Sequence, residues 1–266
     1  MDFKRKERYS VEDLLKIMEI LRSENGCPWD REQTHQSIRK NMIEETYEVV
    51  EAIDRQDPVL LQEELGDVLL QVVFHSRMEE EAGRFSFDDV ADGICKKLIE
   101  RHPHIFGDVV AADAEQVLKN WDAIKKQQKG QDSYAQTLAD VPNVLPALMR
   151  ASKVQQRAAR AGFDYENIQQ ALDDLKSELQ ELSSALKAGD SKNAGEELGD
   201  LLFAAVNVSR FLKLDGEETL TAATEKFIRR FTRVEELSAQ KGVDMKTAGI
   251  DALNDLWKQA KQDCHS

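Results

Sequence analysis

Glu64-Leu-Gly-Asp67-Val-Leu-Leu-Gln-Val-Val-Phe-His-Ser-Arg77 is the stretch that decides the fold, because a close copy of it returns 133 positions later. The copy reads Glu197-Leu-Gly-Asp200-Leu-Leu-Phe-Ala-Ala-Val-Asn-Val-Ser-Arg210. The same offset relates further acidic residues, which pair as Glu45 with Glu178, Glu48 with Glu181, and Glu63 with Glu196. A constant offset across a whole set of residues indicates that a helical unit has been duplicated.

Helical periodicity dominates the rest of the chain, and no convincing alternating strand pattern interrupts it. The first half predicts helices over about 11–24, 36–55, 58–82, 87–101 and 113–128, with a break at 26–30. The second half predicts helices over about 147–161, 165–188, 191–213, 216–241 and 251–263. We therefore predict an all-α protein with two repeated helical-bundle domains, 1–128 and 147–266, and a linker at 129–146.

Composition narrows the functional class and the compartment. The chain has 36 Lys and Arg against 50 Asp and Glu, a formal net charge of −14, which argues against a nucleic-acid or anionic-membrane binder. No secretory signal and no transmembrane-length apolar run is evident. The three widely spaced cysteines indicate neither a disulfide framework nor a zinc site. A reducing cytoplasm is the expected location.

Carboxylates cluster on two pairs of neighbouring helices. Residues three apart share a helix face, and a short turn makes consecutive helices antiparallel neighbours. Close like charges repel by about 4 kcal/mol at 4 Å and an effective dielectric of 20, so protons or a cation must offset them. Oxygen ligands without His or Cys suit Mg²⁺ or Mn²⁺, and Mg²⁺ commonly takes phosphate oxygens as well. The predicted metal ligands are Glu45, Glu48, Glu64 and Asp67 in the first half, and Glu178, Glu181, Glu197 and Asp200 in the second.

Two other interpretations of these carboxylates were weighed. A solvated helix face explains a lone Glu-x-x-Glu or Glu-x-x-Asp well, but it does not explain why the same set recurs on adjacent helices. A di-iron carboxylate bundle requires Glu-x-x-His on two helices. One such pair occurs, Glu32 with His35, but both repeats have aspartate at the relevant position, Asp67 and Asp200.

Basic and aromatic residues follow the acidic motif in each repeat. Lys226 and Arg230 lie four apart with Arg229 between them, a spacing that can hold polyphosphate oxygens. Trp257 and Lys261, also four apart, offer a stacking plane and a charge for a nucleotide. A solvated helix face for the basic group, and a core position for the tryptophan, remain open alternatives.

The doubled acidic motif, with the basic and aromatic residues after it, resembles the signature of the MazG family over nearly the whole chain. That resemblance implies an all-α, Mg²⁺-dependent enzyme that converts nucleoside triphosphates to monophosphates and pyrophosphate and forms a homodimer. It implies Glu178 and Glu197 as the catalytic candidates. It also implies nucleotide contacts from Glu196, Lys226, Arg229, Arg230, Trp257 and Lys261.

One residue departs from the family pattern. Ser177 stands where the family has the first glutamate of the motif, whereas Glu44 fills that position in the first half. We still favour the second half as the main catalytic centre, because its basic residues are denser and a triphosphate needs that positive field. The rival functions are a narrower relative, such as a dUTP or phosphoribosyl-ATP pyrophosphatase, and a non-catalytic nucleotide-binding helical module.

Overall fold

The computed structural model describes residues 3–110, 113, 116–117, 120–121, 124 and 133–264. Throughout these residues every regular element is a helix and none is a strand, which confirms the predicted all-α fold class. The chain divides into two compact units, Met1–Lys125 and Lys126–Ser266. Each unit carries one copy of the repeated acidic motif.

Six helices of the first unit have both of their ends within the described residues. They are α1 (Val11–Arg22), α2 (Pro28–Glu32), α3 (His35–Asp54), α4 (Pro58–Glu81), α5 (Phe87–Arg101) and α6 (Pro103–Phe106). The predicted break at 26–30 does end α1, but it leads into the short helix α2, because Pro28 occupies the first helical turn where its missing N–H costs nothing. The predicted helix 113–128 lies largely outside the described residues.

The second unit also contains six helices within its described residues. They are α7 (Tyr134–Ala139), α8 (Ala147–Arg160), α9 (Ile168–Ala188), α10 (Ser191–Phe211), α11 (Gly216–Lys241) and α12 (Ile250–Asp263). Helix α7 lies in the stretch predicted as a linker. Its Thr137 carbonyl accepts a hydrogen bond from the Arg157 guanidinium of α8, so α7 packs within the second unit.

Each unit is organised around one antiparallel helix pair, α3 with α4 and α9 with α10. In the first unit α1 and α5 pack against α4, and the buried core consists of Met18, Ile38, Val73, Phe74 and Met78. In the second unit α8 packs against α10 and α11. A separate buried cluster joins α11 to α12 and consists of Val234, Leu237, Leu256 and Ala260.

The two helix pairs use the same turn, which fixes how their acidic faces meet. Gln56 (φ 54°) and Gly189 (φ 71°) hold equivalent positions and both adopt the left-handed conformation. The next residue, Asp57 or Asp190, then caps the second helix by accepting hydrogen bonds from its first-turn N–H groups. Glycine adopts this conformation freely, whereas glutamine is strained in it.

We expect Gln56→Gly to stabilise the first unit by up to about 1 kcal/mol, because relief of the left-handed strain exceeds the extra chain entropy of glycine. The reciprocal change Gly189→Gln should destabilise the second unit by about 1 kcal/mol. Urea unfolding followed by circular dichroism measures both. Gln62→Gly is the control, because Gln62 is exposed and lies within α4, away from its ends. This change should lower the free energy of unfolding by about 1 kcal/mol. A destabilised Gln56→Gly variant would contradict this account of the turn.

Among the described residues, no helix is both long and apolar enough to span a membrane.

Candidate functional site

Two groups of carboxylates converge, one in each unit. The first acidic cluster consists of Glu45 and Glu48 on α3 and Glu64 on α4. The second acidic cluster consists of Glu178 on α9 together with Glu197 and Asp200 on α10. In each cluster one oxygen from every carboxylate lies within 4.8 Å of the others.

The structure brings together three of the four predicted ligands in each unit, and the fourth differs between the units. In the first unit Asp67 lies outside the three-residue group. In the second unit the outlying ligand is Glu181, which accepts a hydrogen bond from the Ser177 hydroxyl at 3.1 Å. The equivalent glutamate of the first unit, Glu48, belongs to its cluster. The two sites are therefore related but not identical.

Mutual repulsion is visible in the first acidic cluster. The pKa of Glu45 is raised by partial burial and then by the nearby charges of Asp67 and Glu48. The pKa of Glu64 is raised by partial burial, by the charge of Glu48, and by Glu63 and Asp67. Asp67 thus acts on the cluster electrostatically although it lies outside it. Carboxylates held this way bind protons or cations more readily than isolated ones.

The second acidic cluster shows the same effect with a residue that the sequence analysis missed. Partial burial raises the pKa of Glu178, and the charges of Glu181, Asp174, Asp200 and Glu197 raise it further. Asp174 lies one helical turn before Glu178 on α9, so its spacing of four was the available signal. Burial and the adjacent carboxylates also raise the pKa of Tyr165 to about 12.

Both acidic clusters fit a hard divalent cation. Their donors are carboxylate oxygens alone, and no histidine or cysteine belongs to either group as the structure describes them. Mg²⁺ and Mn²⁺ prefer such ligands, and a cation would offset both the partial burial and the repulsion that raise the pKa of Glu45, Glu64 and Glu178. The pair Glu32 and His35, weighed for a di-iron site, lies in neither cluster.

The predicted basic residues lie on α11, which contacts α10. Lys226 and Arg229 are exposed, and Arg230 is half-buried. Arg233, one turn further on, donates hydrogen bonds to Glu236 and Asp263 and is thereby engaged within the protein. Lys226, Arg229 and Arg230 thus all lie on the helix that follows the second acidic cluster.

Trp257 and Lys261 lie on α12 and are both half-buried. The Trp257 ring lies 5.2 Å from the ring of Phe227 and packs against the core cluster formed by α11 and α12. The structure therefore gives Trp257 a packing role, and leaves part of its ring accessible. Glu196, the remaining predicted nucleotide contact, is exposed and lies 3.8 Å from Lys192 on the same helix.

Comparisons with known proteins identify one domain that occurs twice in this chain. The family model of the MazG nucleotide pyrophosphohydrolase domain matches the chain twice, at residues 33–106 and 166–234, and these ranges include both acidic clusters. Trp257 and Lys261 lie beyond the second range.

Three relatives show how far the similarity extends. The nucleoside triphosphate pyrophosphohydrolase of Escherichia coli K12 is 43% identical over 95% of this chain and 97% of its own length. The Thermotoga maritima protein named nucleoside triphosphate pyrophosphohydrolase/pyrophosphatase MazG is 43% identical over 94% and 95% respectively. The Mycobacterium tuberculosis nucleoside triphosphate pyrophosphohydrolase is 42% identical over 61% of this chain and 48% of its own. This chain belongs to the MazG nucleotide pyrophosphohydrolase family.

Proposed function

We propose that the chain hydrolyses nucleoside triphosphates, including deoxynucleoside triphosphates, at the α-phosphorus, releasing the monophosphate and pyrophosphate. The observation that carries the proposal is the pair of all-carboxylate clusters at equivalent positions of two repeats that both match the family model. Relatives similar over nearly their full length carry this activity in their names. We further propose broad tolerance of the base.

The second acidic cluster is proposed to hold Mg²⁺ or Mn²⁺ through Glu178, Glu197 and Asp200, with Glu181 joining on rotation away from Ser177. When bound, such a cation supplies positive charge beside the phosphates and makes a bound water more acidic. The first acidic cluster, with Asp67, is proposed to hold a cation by the same chemistry.

The protein's own side chains would perform the proton transfer and hold the leaving group. Glu178 or Glu197 accepts a proton from the attacking water, whose oxygen bonds to the α-phosphorus as the bond to the β-phosphate oxygen breaks. Lys226, Arg230 and Lys261 would balance the charge that develops on the departing pyrophosphate. Arg229, Glu196 and Trp257 would complete the nucleotide contacts.

Product analysis tests the proposal directly. Nucleoside triphosphate incubated with the full chain and Mg²⁺ should give equal amounts of monophosphate and pyrophosphate, separable by ion-exchange chromatography. Excess EDTA should reduce the rate to background, and added Mg²⁺ or Mn²⁺ should restore it. Diphosphate plus phosphate as products would contradict attack at the α-phosphorus. Binding without turnover would support the non-catalytic nucleotide-binding module instead.

A panel of the eight common ribo- and deoxyribonucleoside triphosphates, with phosphoribosyl-ATP, separates broad from narrow specificity. Similar kcat/KM values across the eight would support broad base tolerance. A preference for dUTP or phosphoribosyl-ATP of a hundred-fold or more would identify a narrower relative of the same family.

We also propose a homodimer. Large apolar side chains stay exposed on the helix pair of the second unit, including Leu179 on α9 and Leu198, Leu202 and Phe203 on α10. Exposed apolar side chains that share one helix pair often mark a protein interface. Sedimentation equilibrium should give twice the chain mass, and a monomer at micromolar concentration would contradict the proposal. A cytoplasmic location and the lack of nucleic-acid partners stay predictions from the sequence.

A further inference from the structure

Two histidines of the first unit face each other outside the acidic cluster. The Nδ1 atoms of His35, at the start of α3, and His75, on α4, lie 2.7 Å apart. Their ring planes differ by 5°, and their ring centres are 5.0 Å apart. Each nitrogen lies one ring radius from its ring centre, so this separation is about the largest that the N–N distance allows. Both nitrogens therefore lie between the rings, on the line that joins the ring centres.

This in-line arrangement suits a proton and not a metal ion. A nitrogen lone pair aimed directly at another ring nitrogen accepts an N–H···N hydrogen bond. Two histidine ligands of a tetrahedral cation such as Zn²⁺ must instead converge on a point to one side. The geometry of His35 and His75 therefore allows one hydrogen between the two rings, donated by either nitrogen.

Charged groups lie next to the pair and on elements near it. The His35 Nε2 atom lies 2.6 Å from the carboxylate of Glu79 on α4. Arg84, in the loop after α4, donates two hydrogen bonds to the same carboxylate, at 2.5 and 2.7 Å, and these hydrogen bonds are the main reason why the pKa of Glu79 falls to about 2. From α1, Arg22 donates to the carbonyl of Gln33, just before α3, and pairs with Glu81 of α4.

The second unit has no titratable group at the equivalent places. The offset of 133 relates His35 to Ile168, His75 to Val208 and Glu79 to Leu212. These three positions are therefore aliphatic in one repeat and ionisable in the other, and an ion pair of Asp164 with Arg210 lies near them in the second unit. This difference provides an internal control for any effect of pH on the junction.

We propose that His35 and His75 form a proton-controlled clasp that joins the start of α3 to α4 in the first unit and opens on acidification. The clasp closes when the pair carries no net charge, because His75 donates to His35 while the His35 Nε2–H faces Glu79. It also closes with one charge, since His35 then donates to His75 while its positive charge lies beside the Glu79 carboxylate. A second proton places two N–H groups head to head, and the clasp opens.

The direction of the pH effect follows from the surroundings of His75. Burial lowers the pKa of His75 below its ordinary value of 6.5, and the charge of His35 lowers it further. The unfolded chain therefore binds this proton more readily than the folded chain does. Stability from the clasp is complete above pH 6.5 and is lost as pH falls through the lower pKa of folded His75.

Hydrogen exchange of the full chain, read by mass spectrometry at pH 7.5 and pH 5.0, tests the clasp. After correction for the intrinsic exchange rate, protection at the start of α3 should fall by about five- to ten-fold, because one extra proton changes an equilibrium by up to about ten-fold per pH unit. Protection at the start of α9 should change by less than two-fold. Equal changes at both helices, or none at α3, would overturn the proposal.

A double variant separates the clasp from general acid sensitivity. His35→Ile with His75→Val copies the aliphatic residues that the second unit has at these two positions, and should abolish the pH-dependent loss at α3 while the α9 control stays unchanged. His75→Gln serves if the double variant is poorly folded, because glutamine keeps a donor and an acceptor but does not titrate. A loss at pH 5.0 that persists in a folded variant would overturn the proposal.

Discussion

Glu197→Gln should reduce kcat for nucleoside triphosphate hydrolysis by about a thousand-fold, within the range expected when a catalytic acid or base is lost. Glutamine keeps the shape of the side chain but removes its negative charge and its capacity to accept the proton of water. The same change removes one of the three carboxylates of the second acidic cluster, so Mn²⁺ affinity should also fall. Pyrophosphate release and Mn²⁺ titration by electron paramagnetic resonance measure the two effects separately.

Glu64→Gln is the matched control, because Glu64 holds the equivalent position in the first acidic cluster. We expect this variant to keep most of the turnover if the second unit is the main catalytic centre. Full activity in Glu197→Gln, together with loss in Glu64→Gln, would move catalysis to the first unit. Thermal melting should show both variants folded, since each relieves repulsion among carboxylates whose pKa values are raised in the cation-free protein.

The sequence predicts the helices well for a local reason. Capping residues and apolar periodicity are encoded within a few positions of each other. Asp57 followed by Pro58 predicts the start of α4, and the structure shows the Asp57 carboxylate accepting from two N–H groups of that first turn. Ser86 with Asp89 predicts α5 in the same way, and both halves of that capping box are present. Helix α7 was missed because its six residues are too short for a periodic signal.

The acidic clusters are predictable as helix faces but not as ligand sets. Spacing places Glu178 and Glu181 on one face of α9, yet the side chain of Glu181 turns towards Ser177. The side-chain rotamer of Glu181 decides whether it joins the cluster. A neighbouring hydroxyl that competes for the carboxylate leaves no periodic pattern in the sequence. The departure at Ser177 was visible in the sequence, whereas its contact with Glu181 was not. An exposed contact of this kind contributes only a few tenths of a kcal/mol, so a bound cation could readily displace it.

The histidine pair depends on contacts that spacing does not encode. His35 and His75 are forty residues apart and meet only because α3 and α4 are antiparallel. The sequence singled out His35 through its spacing from Glu32, a pair suited to a metal site. The structure instead places His35 with His75 and Glu79. A motif defined by spacing on one helix cannot reveal a partner on another.

Trp257→Ala should destabilise the second unit by about 2–3 kcal/mol, somewhat below the range for a fully buried tryptophan because this ring is half-buried. The indole packs against Phe227 and the cluster that includes Leu237 and Leu256, so its loss leaves a cavity between α11 and α12. Urea unfolding measures the effect. Trp29→Ala is the control, since Trp29 is 58% exposed and should cost less than about 0.5 kcal/mol. If Trp257→Ala lowers the free energy of unfolding by less than 1 kcal/mol, the packing role of Trp257 is contradicted.

Trp257→Phe distinguishes packing from nucleotide contact. Phenylalanine keeps an aromatic ring against Phe227, so we expect a loss of only about 1 kcal/mol, which leaves the unit folded. If the exposed part of the indole also stacks on the nucleotide base, this folded variant should raise KM by about three- to ten-fold with little change in kcat, because stacking stabilises the bound substrate and its transition state alike. An unchanged KM in a folded Trp257→Phe variant would show that Trp257 packs in the core and does not contact the nucleotide. Both roles can coexist in one side chain, since Trp257 packs against the core cluster and is only half-buried.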